Sequence, residues 1–467
     1  MQKSKEYFDR LANKRARFIK RNRYYYRDLI KFLKYSVPQD ASVIELGCGI
    51  GNVISALPNT NKVGVDFSDK MIEEAKKKNP NVKYNIDDIE NLNHSQSYDY
   101  VLLLDAINSL NDVQKTLTDL RMKLCHDRTR IVITYYNILW EPIMRLGEIL
   151  HIKTPSLKQS WLSRGDVRAL LDLARFEVVT EGERLLFPKF FPALSWLLNV
   201  FIAKLPILRR LCLVQYVIAR PLPYERKEYS VSILIPARNE SGNIERALKE
   251  IPKFGTSQEI IFVEGNSTDD TWEVIKEMSE KYKNEWEIQC LQQPGKGKGD
   301  AVRAGFAKAK KEVLMILDAD LTVDPSELPK FYEAIAGGTG EFINGSRLVY
   351  PMDKEAMRIL NMIANKCFGV LFTWILGQRL KDTLCGTKVL LKSDYDRITA
   401  NRSYFGDFDP FGDFDLLFGS AKQNLKIIDV PIRYRDRTYG STNISRFRHG
   451  LLLLRMTVFA ARKMKFY

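Results

Sequence analysis

One pattern constrains the fold more than any other: short apolar runs end at a glycine-rich or acidic turn and lead into a helical segment. Residues 42–46 (SVIEL) precede the glycine loop 47–51 (GCGIG), and residues 313–317 (VLMIL) precede the acidic triplet 318–320 (DAD). Runs of this length bounded by turn residues predict buried strands, and strands alternating with helices predict parallel sheets. At 467 residues the chain is long enough for two or three domains, each with its own core. We therefore expect an α/β fold in more than one domain.

The glycine loop predicts a cofactor site in the front half of the chain. Gly47, Gly49 and Gly51 occupy alternate positions, so the backbone can turn sharply and pass close to a bulky ligand. Residues 62–65 predict a second strand that ends at Asp66, where an acid can bind a ribose diol through two hydrogen bonds. The spacing differs from the GxGxxG fingerprint of dinucleotide-binding domains, because the third glycine comes one residue early.

With Glu45 ahead of the loop, the string VIELGCGIG resembles the class I S-adenosylmethionine-dependent methyltransferases, over about residues 30–220. Asp88, in DDIENL, stands where that family places an adenine contact, and Asp105 follows its fourth-strand signature, YDYVLLL. The resemblance implies a Rossmann-like sheet and S-adenosylmethionine as cofactor. The cofactor-binding residues that it implies are Glu45, Gly47, Gly49, Gly51, Asp66, Asp88 and Asp105. It leaves the methyl acceptor open.

An apolar segment, residues 187–208, precedes the junction between the two halves. Its apolar run of about 14 residues is interrupted by prolines and a lysine, and it is shorter than the ~20 residues that a spanning helix requires. Two interpretations stay open: a pair of core helices, or a segment that dips into one membrane leaflet beside the basic pair Arg209-Arg210. The flanking runs predicted as a final antiparallel strand pair are residues 176–180 and 215–219.

A second set of strands predicts a phosphate-binding crevice in the back half. Three apolar runs each lead into a motif. Residues 229–235 (YSVSILI) precede PARNE, residues 259–263 (EIIFV) precede EGNSTDDT, and residues 313–317 precede the acidic triplet. Two carboxylates separated by one small residue at a strand end would repel each other unless a divalent cation lies between them and a diphosphate. The upstream segment KGKGDAVRAG, residues 296–305, supplies cations and flexible backbone for a phosphate-bearing substrate.

This order of motifs resembles the family 2 inverting glycosyltransferases with a GT-A fold, above all enzymes that transfer glucose or mannose to dolichyl or polyprenyl phosphate. The resemblance spans residues 230–440. It implies that Asp318 and Asp320 hold Mg²⁺ or Mn²⁺ on the donor diphosphate. The residues that it places around the nucleotide sugar are Pro236, Ala237, Glu240, Glu264, Asp269, Lys298, Arg303 and Arg347.

The same resemblance nominates the acids near the transferred sugar. Asp382 borders the donor sugar, and Asp413 and Asp415, in GDFDLL, stand where the family shows an acid before a Leu-Leu pair. An alcohol acceptor needs a carboxylate base, for which Asp413 is the first choice and Asp415 the second. A phosphate acceptor is already an anion and needs none. The lysine that binds phosphate in the polyprenyl-phosphate enzymes aligns with Asn443 here.

The positive charge is concentrated at the two ends of the chain. Residues 1–40 contain twelve Lys or Arg and four Asp or Glu, and residues 426–467 contain ten and two, within a formal net charge of +15. This favours an anionic surface as partner, either phospholipid or nucleic acid, over simply solvated basic helices. Six cysteines without a CxxC pair, four histidines and no secretion signal favour a cytoplasmic protein without a zinc site.

We expect a basic helical segment at 1–40, a methyltransferase-like domain at 41–224, a glycosyltransferase domain at 225–440 and a basic amphipathic segment at 441–467. The predicted function is transfer of a hexose from a UDP- or GDP-sugar to a lipid-linked or glycan acceptor, with a fused methyltransferase, on the inner face of the membrane. No nucleic-acid partner is expected.

Two alternatives remain: the front domain is a non-catalytic binding scaffold, or the protein is a nucleic-acid methyltransferase that uses its basic ends. The second leaves the glycosyltransferase motifs unexplained. The sugar, the nucleobase and the oligomeric state are not determined by the sequence.

Overall fold

The computed structural model describes residues 2–149, 160–223, 225–350, 359–404, 412–435, 439 and 446–466. The chain forms two compact units, Met1–Pro223 and Tyr224–Lys465, which we call the N-terminal and the C-terminal unit. Within the described residues each unit contains a seven-stranded sheet. All six cysteines are free thiols.

The N-terminal unit has strands β1 (Val43–Leu46), β2 (Lys62–Asp66), β3 (Lys83–Ile86), β4 (Tyr100–Leu104), β5 (Arg130–Tyr136), β6 (Phe176–Arg184) and β7 (Val214–Pro221). Its helices are α1 (Gln2–Arg21), α2 (Arg23–Ser36), α3 (Asn52–Ala56), α4 (Asp69–Lys78), α5 (Val113–Leu124), α6 (Glu141–Ile149), α7 (Arg164–Leu173) and the short α8 (Leu194–Trp196). The strand order is β3-β2-β1-β4-β5-β7-β6. Strands β1–β5 are parallel, whereas β7 is antiparallel to both β5 and β6, which confirms the antiparallel pair predicted from the sequence.

The central strands β1, β4 and β5 of this sheet are largely apolar because both faces of the sheet are covered there. On β4, Val101 and Leu103 pack into one hydrophobic cluster, and Tyr100 and Leu102 pack into the cluster on the opposite face. Successive side chains of a strand point to opposite faces, and a parallel sheet covered on both sides therefore reads as a continuous apolar run.

The C-terminal unit has strands β8 (Val231–Ala237), β9 (Gln258–Glu264), β10 (Glu287–Gln292), β11 (Val313–Ile316), β12 (Phe342–Ser346), β13 (Lys388–Leu391) and β14 (Ile427–Pro431). Its helices are α9 (Ser241–Glu250), α10 (Thr271–Lys281), α11 (Lys298–Lys308), α12 (Leu328–Ala336), α13 (Ile359–Leu376), α14 (Lys392–Ala400), α15 (Asp413–Lys422) and α16 (Arg446–Met464). The strand order is β10-β9-β8-β11-β13-β12-β14.

The topology of the second sheet brings separate motifs to one edge. Strands β8–β11 are mutually parallel, β13 is antiparallel to β11, and β12 is antiparallel to β13. The carboxyl ends of β8, β9, β11 and β12 therefore share an edge with the amino end of β13. This edge is where open α/β sheets bind ligands.

None of the helices in the described parts of the chain combines the length and hydropathy needed to cross a bilayer.

Candidate functional site

The glycine loop of the N-terminal unit lies directly after β1. Gly47, Gly49 and Gly51 all have positive φ angles, +74°, +55° and +72°, which favour glycine. The amide of Gly47 donates to the Val65 carbonyl oxygen at 2.8 Å and thereby attaches the loop to the end of β2. A β-carbon on Gly51 would overlap the Tyr84 hydroxyl. The loop conformation therefore depends on glycine at these positions.

Two acids hold the loop and the helix that follows it. Asp66, at the end of β2, accepts from the Gly49 amide at 2.8 Å and from the Ser68 amide at 3.0 Å. Glu45 is buried and accepts from the Ile54 amide, in α3, at 2.8 Å. Burial raises the pKa of the Glu45 carboxyl to about 8 and also raises the pKa of Asp66. Each acid thus already positions the backbone around the expected cofactor.

The other two predicted cofactor residues lie at the same edge of the sheet. Asp88 begins a short turn and accepts from the Glu90 amide at 3.1 Å. Asp105, after β4, has a φ of +54° and accepts from the Thr134 hydroxyl at 2.8 Å and from the Tyr25 hydroxyl. Burial raises the pKa of Asp105 as well. The carboxyls of Glu45 and Asp66, which are buried, and of Asp105, which is half-buried, therefore lie along one edge, an arrangement that fits a cationic ligand.

Helix α1 covers this edge, which sequence reasoning did not anticipate for the basic segment 1–40. Ala12 is buried against Ile50 of the glycine loop and Met71 of α4. The ring of Phe8 packs edge-on against Phe67, with the ring centroids 5.4 Å apart. Arg15 interacts electrostatically with Asp66 and Asp105. The apolar side of α1 (Phe8, Leu11, Ala12, Ile19) has helical spacing, and that spacing could have indicated a packed helix.

In the C-terminal unit, the acids expected around the nucleotide stabilise the loops at the sheet edge. Glu264 ends β9 and accepts from the Ser267 amide at 2.5 Å. Asp269 accepts from the Thr271 amide at 3.1 Å. Glu240, which follows β8 and its terminal residues Pro236 and Ala237, is buried and accepts from the Asn243 side-chain amide at 2.7 Å.

The lysine–glycine segment contacts the acidic triplet. Lys298 begins α11, and its Nζ lies 2.6 Å from Asp318 Oδ1, with about a quarter of each side chain exposed. Burial would raise the pKa of Asp318, but Lys298 outweighs that effect and lowers it. Asp320 accepts from the Thr322 hydroxyl at 2.8 Å. Arg303, in α11, lies 3.8 Å from Asp300.

Asp318 and Asp320 are the carboxylates expected to bind the divalent cation. Among the described residues, no group of three or more His, Cys, Asp or Glu is arranged to hold a metal ion. Mg²⁺ commonly binds through one or two carboxylates together with substrate phosphates, so Asp318 and Asp320 suffice if a diphosphate completes the site. The Ser346 and Thr387 hydroxyls, at the same edge, are buried without a protein partner, and such groups usually bond to water or ligand.

A close approach between loops shapes this site. A β-carbon on Gly386, just before β13, would overlap Asp318 Oδ2 and Lys298 Nζ. Gly412, just before α15, has a φ of +76°, and a β-carbon there would lie 2.7 Å from the Gly299 α-carbon. The start of α15, which includes Asp413, therefore lies beside the lysine–glycine segment. The Asp413 side chain and Asn443 lie outside the described residues.

Two of the acids nominated for catalysis are held in ion pairs. Asp382 is fully buried and accepts from Arg347 Nε at 2.8 Å and Nη2 at 2.9 Å, and from the Asn365 side chain at 2.7 Å. Arg347 outweighs burial and lowers the pKa of Asp382. Asp415 accepts from Arg402 Nε at 2.9 Å. Arg402 and Asn365 were not nominated from the sequence, because residues so distant along the chain give no local signal.

Comparison with known proteins identifies both units. Residues 18–181 match the family model described as Methyltransferase domain, and residues 232–398 match that of Glycosyl transferase family 2. The chain is therefore a fusion of a methyltransferase domain and a family 2 glycosyltransferase domain. Both are enzyme domains of the transferase class. The expected fold class, a Rossmann-like sheet followed by a GT-A domain, is confirmed.

Three similar proteins illustrate the match. A Dolichol-phosphate mannosyltransferase of Pyrococcus furiosus is 38% identical over 223 residues, which cover 46% of this chain and 59% of that protein. A Dolichyl-phosphate beta-glucosyltransferase of Saccharomyces cerevisiae is 27% identical over 247 residues, covering 47% and 72%. A solved SAM-dependent methyltransferase of Thermotoga maritima, possibly a histamine N-methyltransferase, is 17% identical with a TM-score of 0.36, covering 46% and 97%. The chain thus spans 59% of the length of the Pyrococcus relative.

Proposed function

We propose that the C-terminal unit transfers a hexose from a UDP- or GDP-sugar to a membrane-associated acceptor, with polyprenyl phosphate as the leading class. The observation that carries this proposal is the convergence of Asp318, Asp320 and Lys298 at one sheet edge, where the Gly386 backbone passes close to Asp318 and Lys298. The dolichyl-phosphate enzymes among the relatives support a lipid-linked acceptor. Asn443, where those enzymes have a phosphate-binding lysine, leaves a glycan acceptor as the alternative.

The roles of the donor-binding residues follow from their positions. Asp318 and Asp320 would hold Mg²⁺ or Mn²⁺, which when bound neutralises the charge that develops on the leaving diphosphate. Lys298, the first residue of α11, contacts Asp318, so it adds a further positive charge beside the diphosphate. Residues 236–240, Glu264 and Asp269 shape the nucleotide pocket, and Arg303 supports the lysine–glycine segment.

The acceptor is proposed to enter beside α15. Asp413, at the start of this helix, is our candidate for the base that removes a proton from an alcohol acceptor. Asp415 is the weaker candidate, because Arg402 already occupies its carboxylate. Asp382 is assigned a positioning role instead. Its carboxylate forms a bidentate ion pair with Arg347 and thereby orients the guanidinium group.

A donor screen tests the glycosyltransferase proposal. UDP- and GDP-sugars are incubated with the protein and Mn²⁺, with and without prenyl phosphates, and nucleotide diphosphate release is measured. Asp320→Ala should lower the rate by at least ~100-fold, as expected for loss of a group that stabilises the transition state. Asp396→Ala, which removes an exposed acid on α14, is the matched control. A near-wild-type rate in Asp320→Ala would exclude the assigned site.

We further propose that the N-terminal unit binds S-adenosylmethionine and methylates an acceptor, rather than serving only as a scaffold. When bound, this cofactor supplies an electrophilic methyl group and a positive charge. That positive charge favours the ionised forms of the Glu45, Asp66 and Asp105 carboxyls, which burial otherwise disfavours. Each Asp66 oxygen retains a lone pair for a ribose hydroxyl beside its amide bond.

Calorimetry tests the cofactor assignment. Asp66→Ala should weaken S-adenosylmethionine binding by roughly 2–4 kcal/mol, because two charge-assisted hydrogen bonds are lost. Asp172→Ala, on α7 and away from the loop, serves as control. The scaffold alternative gains support if the wild-type protein binds the cofactor but transfers no methyl group to any acceptor. Absence of S-adenosylmethionine binding rejects the cofactor assignment and leaves only a scaffold that binds another ligand.

A further inference from the structure

The N-terminal unit exposes an unusually apolar surface that its proposed methyltransferase chemistry does not explain. Among the described residues of this unit, eighteen large hydrophobic side chains are exposed, and fifteen of them lie in two segments, residues 138–149 and 190–211. We call these two segments the apolar rim. Its most exposed members include Ile207 (81%), Ile149 (71%), Phe191 (60%) and Trp196 (58%). Exposed apolar patches of this extent mark interaction sites.

The second segment of the rim is folded with its polar side inward. Ser195 and Asn199 are buried, whereas their neighbours Leu194, Trp196 and Leu197 are exposed. Asn199 accepts from the Phe187 amide and donates to the Phe187 carbonyl, both at 2.9 Å. If this segment were surrounded only by water, its polar side chains would be expected to be exposed and its apolar side chains buried. The segment is therefore suited to an apolar medium, and it is not the core helix pair that was one interpretation of the sequence.

The two segments of the rim are joined at the cofactor edge of the sheet. Asn137, after β5, donates to the Arg210 and Cys212 carbonyls at 2.8 and 2.9 Å, and the Trp140 indole donates to the Leu211 carbonyl at 2.8 Å. Strand β6 runs parallel to β5, because both are antiparallel to β7. The segment between β6 and β7 therefore emerges at the edge that carries the glycine loop.

A direct connection links the rim to the site. The Asn199 side chain donates to the Tyr24 hydroxyl at 3.2 Å, and the ring of Tyr24 lies 5.9 Å from that of Phe190. The next residue, Tyr25, donates to Asp105. The mouth of the methyltransferase site and the rim are therefore parts of one surface.

The charges of the second rim segment and of the three residues before it identify the partner. Residues 187–211 contain Lys189, Lys204, Arg209 and Arg210 but no Asp or Glu, and Lys189 and Arg210 are exposed. The first segment contains Glu141, Arg145 and Glu148, of which Glu141 and Arg145 form an ion pair. Aromatic and aliphatic side chains flanked by cations are typical of segments that lie at the headgroup level of an anionic bilayer. We propose that the apolar rim docks the N-terminal unit on an anionic lipid bilayer, with the methyltransferase mouth facing a membrane-embedded methyl acceptor.

Hydrogen–deuterium exchange of the full chain tests this docking. Phosphatidylcholine vesicles with and without phosphatidylglycerol are added, and peptides covering residues 138–149 and 187–211 are followed. These peptides should be protected by the anionic vesicles, whereas peptides around Met122 and Leu173, which are exposed residues near the ends of α5 and α7, should not. Because exchange is read locally, binding through the C-terminal unit does not produce this protection. Unchanged exchange in the rim peptides would overturn the proposal.

A pair of matched double variants completes the test. Phe191→Ser/Trp196→Ser should remove the rim protection and weaken vesicle partitioning about tenfold, because binding scales with the apolar area inserted. Met122→Ser/Leu173→Ser removes as many exposed hydrophobic side chains away from the rim and should leave both unchanged. Thermal unfolding confirms that each variant is folded. If light scattering instead finds a dimer that only the rim variant dissociates, and vesicles leave the rim unprotected, the surface is a protein interface and the bilayer assignment is wrong.

Discussion

Glu45 illustrates how one residue of the site is held at a cost in free energy. Its carboxyl is fully buried and accepts one backbone hydrogen bond, and burial raises its pKa to about 8 from an ordinary 4.5. At neutral pH the folded protein therefore retains a proton that the unfolded chain releases. The stabilising contribution is complete below about pH 4.5 and is lost as the pH rises towards 8.

The first prediction concerns the pH dependence of stability. In cofactor-free protein, the free energy of unfolding of the N-terminal unit should fall between about pH 4.5 and 8, by about 1.4 kcal/mol for each unit by which the pKa is displaced. Glu45→Gln keeps an oxygen acceptor but cannot ionise, so it should flatten this slope, leaving the contributions of Asp66 and Asp105, whose pKa values are also raised. Urea unfolding across this pH range measures how the free energy of unfolding changes with pH. An unchanged slope in Glu45→Gln would show that another group titrates.

Gly386 carries the second prediction. A β-carbon there would overlap Asp318 Oδ2 and Lys298 Nζ, which are the ends of flexible side chains, so the fold should tolerate Gly386→Ala while the carboxylate is displaced. A misplacement of ~1 Å in a reacting centre costs roughly 100-fold in rate. Gly165→Ala, whose new β-carbon would have its nearest neighbour at 3.6 Å, is the control. Transfer by Gly386→Ala at the wild-type rate would contradict the geometry of the site.

Among the elements, α16 has two apolar sides. Leu453, Met456 and Ala460 are buried, and α16 packs on α13. Leu451 and Leu454 are exposed, as are Arg455, Arg462 and Lys463. Within residues 451–454, Leu453 is therefore packed in the unit while Leu451 and Leu454 face outward. The basic C-terminal segment is neither wholly solvated nor wholly free to bind a membrane.

The third prediction follows from this division. Leu451→Ser/Leu454→Ser/Val458→Ser removes only exposed side chains, whereas truncation after Ser445 would also uncover the buried side of α13. The triple variant should reduce co-sedimentation with anionic vesicles, and high salt should release the wild-type protein, since surface charges are screened within ~8 Å at physiological ionic strength. Parallel assays on duplex RNA provide the comparison. A wild-type protein that stays in the supernatant with anionic vesicles at low salt would rule out membrane binding, and a soluble acceptor would then be favoured.

At the scale of the whole molecule, the chain contains two compact units with separate cores. Each core is built around its own sheet, and each site lies at the edge of that sheet. Ligands should therefore stabilise the two units selectively, because a ligand adds free energy only to the structure that binds it.

The fourth prediction uses this selectivity. At about 100 times its Kd, S-adenosylmethionine should stabilise the N-terminal core by about 2.7 kcal/mol, and a nucleotide sugar with Mn²⁺ should do the same for the C-terminal core. Hydrogen exchange of peptides from β1 and β4, compared with β8 and β11, measures the two effects separately. Asp66→Ala should abolish only the first and Asp320→Ala only the second. Protection of the wrong core by either ligand would contradict the assignment of the sites.

The sequence by itself determined where strands end and which residues stand there. The glycine loop, Asp66 and the pair Asp318 and Asp320 were all placed by local signals, since an apolar run followed by a turn specifies a strand and its exit within a few residues. The fold class followed, because such strands alternating with helices form parallel sheets.

Only the tertiary structure decided which side chains meet. Arg347 is paired with Asp382 across 35 positions, and Arg402 with Asp415 across 13, so the partner of each acid comes from a distant part of the sequence. The polar side of residues 195–199 turns inward because its hydrogen-bond partners, such as Tyr24, come from another part of the chain. Strand periodicity is a local property, whereas these contacts depend on which elements become neighbours, and that is decided by the packing of the whole unit.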